Sequence, residues 1–177
     1  SAKLQEEEAS FAATKGYSKH ERPMPLYTTV DAYSVFRLIK TFHFGERITI
    51  HDGVDIVFNE AGHLLGAAIT AIFIRGEHQE KKIVFSGDLG RSTDLMLRPP
   101  TVINHADILF IESTYGDKSH PMVDPAAELE RIVNETFEDR GVVLIPAFAV
   151  GRTQLLLYYF HQLMLAHRIP NFPVYID

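Results

Sequence analysis

The 177-residue sequence contains no cysteine. That absence excludes a disulfide framework, a cysteine-ligated zinc, an iron–sulfur cluster and a thiol nucleophile. Any metal bound here has to sit on histidine, aspartate or glutamate. Basic residues are also scarce, 17 Lys and Arg against 23 Asp and Glu for a net charge of −6. This balance argues against a broad basic face that coats duplex nucleic acid, while leaving room for a narrow phosphate-binding site. Long apolar runs are missing too. The longest, Leu155 to Ala166, is interrupted by His161 and Gln162, and it falls short of the ~20 residues of a membrane span. The opening SAKLQEEEAS is acidic and polar, the reverse of a secretory signal, so a cytoplasmic location is expected.

What is present is an ordinary globular composition, 46% hydrophobic and 23% charged, which excludes disorder and a collagen-like chain. The length suits one domain, or one and part of another. Residues 3 to 14 read as a helix ended by Gly16. Thr28-Thr29-Val30-Asp31 has the form of a capping box and predicts a second helix through Phe42, stopped by Gly45. The period then changes to two. Arg47 to Ile50 and Val54 to Phe58 flank His51-Asp52-Gly53, a tight hairpin turn in which glycine accepts positive φ. Further strands are expected at Ala67 to Ile74, Lys82 to Phe85 and Asp107 to Ile111, the last apolar on both sides and so read as buried between layers. Beyond Pro121, Asp124 and Pro125 start a helix that Gly141 ends. Val142 to Ile145 reads as a buried strand, Arg152 to about His167 as a buried helix, and Pro173 to Ile176 as a final strand. The fold class is α/β, and this alternation begins a Rossmann-like parallel layer with a domain boundary near residues 116 to 122.

Four short motifs can carry chemistry. In Ala61-Gly62-His63-Leu64-Leu65-Gly66, glycines flank a histidine just after a strand, so the backbone can turn sharply and approach a ligand. In Ser86-Gly87-Asp88-Leu89-Gly90 a carboxylate occupies the same kind of position, and a carboxylate can bridge two cations. The alternatives are a histidine satisfied within its turn and an Asp88 that only caps the next segment. Glu112 follows the apolar strand at the end where open α/β sheets gather their ligands. It can orient a histidine for proton transfer, or simply cap a turn. The fourth, Ile145 to Gln154, ends in Gly151-Arg152-Thr153 at a helix start. It offers free amides and a guanidinium to a phosphate, or an arginine that packs along its helix and pairs with an acid. No Walker or Gly-x-Gly-x-x-Gly loop is present, which weakens a nucleotide-binding reading. His20, His43, His78, His105 and His167 lack ligand-like neighbours in the sequence, and His51 sits in the hairpin turn.

In this order, AGHLLGAA, SGDLGR, ESTYG and PAFAVGRTQ resemble the β-CASP branch of the metallo-β-lactamase fold, a group of RNA-processing nucleases. The resemblance covers essentially the whole chain. It implies a partial αββα metallo-β-lactamase sandwich over residues 1–118 followed by the start of a Rossmann-like β-CASP domain over 119–177. It also implies that His63 is a zinc ligand, that Asp88 bridges two zinc ions, and that Glu112 orients a distant histidine near the scissile phosphate. Ser113, Thr114 and Arg152 become candidate substrate contacts. The family's His-x-His-x-Asp-His motif is absent, since no His-x-His occurs in the sequence, and the family's later histidine motifs would lie beyond Asp177. The chain therefore reads as an internal fragment. The expected activity is zinc-dependent hydrolysis of RNA, single-stranded rather than duplex, in an intact protein that can form a homodimer. The fragment alone is expected to be inactive and to retain little zinc. Competing readings are a small-molecule hydrolase of the same fold, which would share His63 and Asp88 but not need the stretch from Glu112 onward, and a non-catalytic β-CASP assembly subunit.

Overall fold

The computed structural model describes residues 1–119 and 123–176. The expected domain boundary therefore falls partly outside the described residues. These residues form two compact units, Ser1–His43 and Phe44–Asp177. In the first, α1 (Ala2–Lys15) ends at Gly16 as the sequence predicts. The capping box that starts α2 (Thr29–Val35) is formed: the Thr28 hydroxyl accepts the Asp31 N–H at 3.2 Å, and the Asp31 carboxylate accepts the Thr28 N–H at 2.9 Å. The helix is shorter than its apolar spacing suggested. It tightens into a 3-10 turn at Phe36–Leu38, and the apolar stripe meant to hold it is exposed, Val35, Leu38, Ile39 and Phe42 included. Without a packed face, so short a helix has little to sustain it.

The second unit holds a five-stranded sheet in sequence order: β1 (Arg47–His51), β2 (Val54–Glu60), β3 (Ala68–Arg75), β4 (Glu80–Phe85) and β5 (Ile108–Phe110). The first three pairings are antiparallel and β4 pairs β5 in parallel. β1 and β2 meet at the predicted turn, with Gly53 at φ 74. Strand register gives the sheet two unlike faces, because side chains alternate with a period of two. On one face Val57, Ala71, Val84 and Leu109 stand in line across β2 to β5. Ala61, Ile69, Leu89, Ile103 and Ala106 join them in the core around Val84. On the other face Ile48, Ile56, Ile72, Ile83 and Ile108 form one continuous row across all five strands. None of the five is buried. Beside them runs Phe58, Thr70, Phe85 and Phe110, with the last two rings stacked at 4.6 Å.

The last strand corrects one expectation. β5 is formed, yet Ile108, Leu109, Phe110 and Ile111 are all at least half exposed rather than buried between layers, since among the described residues no second layer covers them. The C-terminal part departs further. α3 (Pro125–Glu138) starts as predicted, with the Asp124 carboxylate accepting the Ala126 N–H at 3.0 Å. It packs on α4 (Arg152–Leu165) through Val133, Phe160, Leu163 and Ile169. However, residues 142–145 and 173–176 lie in no strand, and Val142 and Leu144 are each 90% exposed. A strand needs a neighbour for its backbone groups, and the described residues supply none there. α4 is not buried all round either: only Phe160 and Leu163 are, while Leu165 and Tyr158 face outward. No helix among the described residues is long and apolar enough to cross a membrane.

The polar end of the packed face is held by charge. Asp55, 6% exposed, accepts the Thr49 hydroxyl at 2.7 Å and the Arg47 Nε–H at 2.9 Å, with Arg75 at 3.8 Å. The Thr49 hydrogen bond first, then Arg47 and the charge of Arg75, hold its carboxyl below the ordinary aspartate value. Asp107 fastens the start of β5 to β4, accepting the Lys82 N–H at 2.7 Å and Lys81 Nζ at 3.0 Å, and is likewise held low, chiefly by the Lys82 amide.

Two outcomes follow from this arrangement. Covering an isoleucine is worth about 1.5–3 kcal/mol. The isolated chain is therefore expected to bind a hydrophobic dye and to sediment as more than a monomer. Ile72→Lys combined with Ile83→Lys should return it to a monomer with its far-UV circular dichroism intact. A monomeric wild-type chain that binds no dye would refute this. The depressed carboxyls of Asp55 and Asp107 contribute stability that is fully present above the unfolded value of about 3.9 and is lost as pH falls through their lower folded values. The urea midpoint should thus drop below about pH 4, and less steeply in Asp55→Asn and Asp107→Asn.

Candidate functional site

Strand direction decides where the motifs meet. β2 and β4 are both antiparallel to β3, and β5 is parallel to β4, so the C-terminal ends of β2, β4 and β5 lie at one edge of the sheet. The loops leaving those three ends carry His63, Asp88 and Glu112 respectively. Strand ends of this kind are where α/β sheets collect catalytic and binding groups.

The three loops are joined by backbone contacts. The Gly90 N–H donates to the Ala61 carbonyl at 2.8 Å, and the Gly62 N–H is held by Glu60 Oε1 at 3.0 Å. A Cβ at residue 90 would stand 1.6 Å from the Gly62 carbonyl oxygen, so only glycine allows the His63 and Asp88 loops to touch. Glu112 ties in the third loop. Its Oε1 accepts the Leu89 N–H at 2.6 Å, while its own N–H donates to the hydroxyl of Ser86 at 3.0 Å. The Leu89 amide, then the Thr114 hydroxyl and amide, with the nearby charge of His63, hold the Glu112 carboxyl below its ordinary value. Glu112 is therefore an anionic anchor as well as a strand-end acid.

Asp88 and His63 are exposed, and neither side chain makes a hydrogen bond or ion pair among the described residues. Ser113 and Thr114 also lie at this edge, but Ser113 closes a turn by accepting the Gly116 N–H at 2.9 Å, and Thr114 is engaged by Glu112. The turn before α4 reaches the same region, because a Cβ at Gly151 would stand 2.8 Å from Leu64 Cδ2, next to His63. Arg152 follows that turn, and its exposed guanidinium engages no group among the described residues. The helix start itself is already capped: Gln154 Oε1 accepts the Gly151 N–H at 2.6 Å and the Thr153 hydroxyl donates to the Phe148 carbonyl at 2.8 Å. Sequence reasoning missed Ser86 and Glu60, which hold the loops together. Ser86 lies within one of the four motifs, but nothing in a sequence distinguishes a buried, doubly bonded serine from a surface one.

The donor set falls short of a metal centre. A catalytic zinc takes three protein ligands, whereas one imidazole and one free carboxylate stand here. Among the described residues no three His, Cys, Asp or Glu side chains form a metal-holding group.

Fold and site together define an α/β protein that gathers His63, Asp88 and Glu112 at one strand-end edge of its sheet. No family model matches the chain. Curated relatives do. Ribonuclease TTHA0252 of Thermus thermophilus is 33% identical over 156 residues, 86% of this chain and 34% of the relative. An RNase J-like protein of Methanocaldococcus jannaschii is 32% identical over 157 residues, 85% of this chain and 36% of the relative. Subunit 3 of the cleavage and polyadenylation specificity factor of Dictyostelium discoideum is 36% identical over 131 residues, 71% of this chain and 16% of the relative. Over most of its length the chain is homologous to these RNA-processing proteins. It spans roughly a third or less of the length of these relatives.

The contact at residue 90 gives a direct check on the loop arrangement. Gly90→Ala is expected to cost on the order of 3 kcal/mol, read as a lowered urea midpoint, because backbone rather than a flexible side chain blocks the added methyl. An unchanged midpoint would mean that the His63 and Asp88 loops do not touch as described.

Proposed function

We propose that this chain is the part of an RNA-cleaving phosphodiesterase that carries the later half of its hydrolytic site. The carrying observation is the gathering of His63, Asp88 and Glu112 at one sheet edge, with the first two side chains free of hydrogen-bond partners among the described residues. The names of the relatives, a ribonuclease and an RNase J-like protein among them, favour RNA as the substrate. In the intact protein His63 and Asp88 would contribute ligand atoms to a zinc site whose remaining ligands would come from other parts of the polypeptide. Zinc would supply Lewis-acid activation of water and of the phosphate.

This chain's own residues do the rest. Asp88 and His63 present ligand atoms, Glu112 keeps the loops in place and offers a carboxylate beside the scissile group, and Arg152 adds positive charge for a single-stranded phosphate backbone. Residues 1–118 form part of a metallo-β-lactamase sandwich and 119–177 open the β-CASP domain. The isoleucine row, none of it fully buried, supports the first half of that reading, since a sheet with an apolar face that is not fully buried is suited to pack against a second sheet. A cytoplasmic setting and a homodimeric parent complete the proposal.

The intact protein should fragment labelled single-stranded RNA and leave thioesters and lactones untouched, with His63→Ala and Asp88→Ala each lowering cleavage by more than about a hundredfold. The isolated chain should hold little zinc after dialysis and cleave nothing. Two tightly held zinc ions per isolated chain, or full activity in Asp88→Ala, would sink this reading.

A further inference from the structure

Asp88 is the one strand-end acid here whose carboxylate has no hydrogen bond among the described residues, yet the chain on both sides of it is pinned. Before it, the Gly87 carbonyl accepts the Ser86 hydroxyl at 2.7 Å. After it, the Leu89 N–H donates to Glu112 Oε1 at 2.6 Å. Both restraints return to the same pair of residues, because the Ser86 hydroxyl also accepts the Glu112 N–H at 3.0 Å. Ser86 is 5% exposed, and its hydroxyl makes one bond as donor and one as acceptor. Its own backbone N–H donates to the Phe110 carbonyl at 2.9 Å, continuing the β4–β5 ladder into the loops.

The geometry points to Ser86 as a positioning residue for Asp88: with Glu112 it forms a reciprocal clasp that fixes the two peptide units flanking Asp88 while leaving the carboxylate unspent. A ligand or bridging carboxylate needs this combination, a fixed direction with its lone pairs available. The arrangement also gives Glu112 a second task, holding Leu89 as well as presenting its acid. The reading rests on the assignment of Asp88 to the site proposed above, but the clasp itself is testable without activity.

In the ¹⁵N-labelled chain, Ser86→Ala is expected to speed hydrogen exchange of the Glu112 and Leu89 amides at least about tenfold, with Ile72 and Val84 on the neighbouring strands within about twofold. Ser86→Thr, which keeps the hydroxyl, should restore protection. Glu112→Ala should release Leu89 in the same way. In the intact protein, Ser86→Ala should lower kcat about tenfold with KM nearly unchanged, as expected when a reacting group is misoriented while substrate binding is preserved. Unchanged exchange in Ser86→Ala, acceleration spread evenly over the sheet, or failure of threonine to restore protection would each overturn the clasp. Absence of RNA cleavage by the wild-type intact protein would instead count against the proposed activity, and the exchange data alone would then decide the clasp.

Discussion

Everything at the candidate site depends on β5 lying parallel to β4. An antiparallel β5 would send Glu112 to the far edge of the sheet, away from the loops after β2 and β4. Asp107 holds the start of that pairing, accepting both the Lys82 amide and the Lys81 ammonium. Ser86 holds its end, where its amide meets the Phe110 carbonyl and its hydroxyl meets the Glu112 amide. β5 is only three residues long, Ile108–Phe110, so these flanking bonds carry much of what fixes its direction and register. A short edge strand pinned at both ends can deliver a functional residue accurately without a long ladder behind it.

The two faces of the sheet show how stability and site are divided. One face is occupied by small and branched residues closely covered by the loops themselves: Ala61, Leu89, Ile103 and Ala106 pack on Ala71 and Val84. The same loops that carry His63 and Asp88 therefore close the core, and their positions are tied to packing rather than left to loop flexibility. The opposite face carries the isoleucine row and the stacked Phe85 and Phe110. None of those isoleucines is fully buried, and the buried cores of the second unit are the cluster around Val84 and the separate α3–α4 cluster around Val133 and Phe160.

Much of this was legible in the residues. The β1–β2 hairpin, the capping box at Thr28, the Asp124-Pro125 helix start and the strand-end placement of His63, Asp88 and Glu112 all follow from local chemistry that operates over a few residues. The failures share a cause. Val142 to Ile145 and Val174 to Ile176 have the composition of strands, and Ile108 to Ile111 the composition of a buried one. Composition reports what a segment would do with a partner, and the partner is a tertiary matter. The predicted extension of α2 to Phe42 failed for the same reason, since among the described residues its apolar stripe meets no covering surface.

The sequence by itself determined the chemistry on offer: no thiol, an acidic balance, and three glycine- or strand-flanked groups, one imidazole and two carboxylates. It also determined the period-two pattern from which the strands grew. Only the tertiary structure decided that the three groups share an edge, because that depends on the direction of β5, which no local pattern encodes. It alone turned Ser86 and Glu112 into a clasp about Asp88. Hydrogen bonds between residues 26 positions apart exist only after the strands have paired.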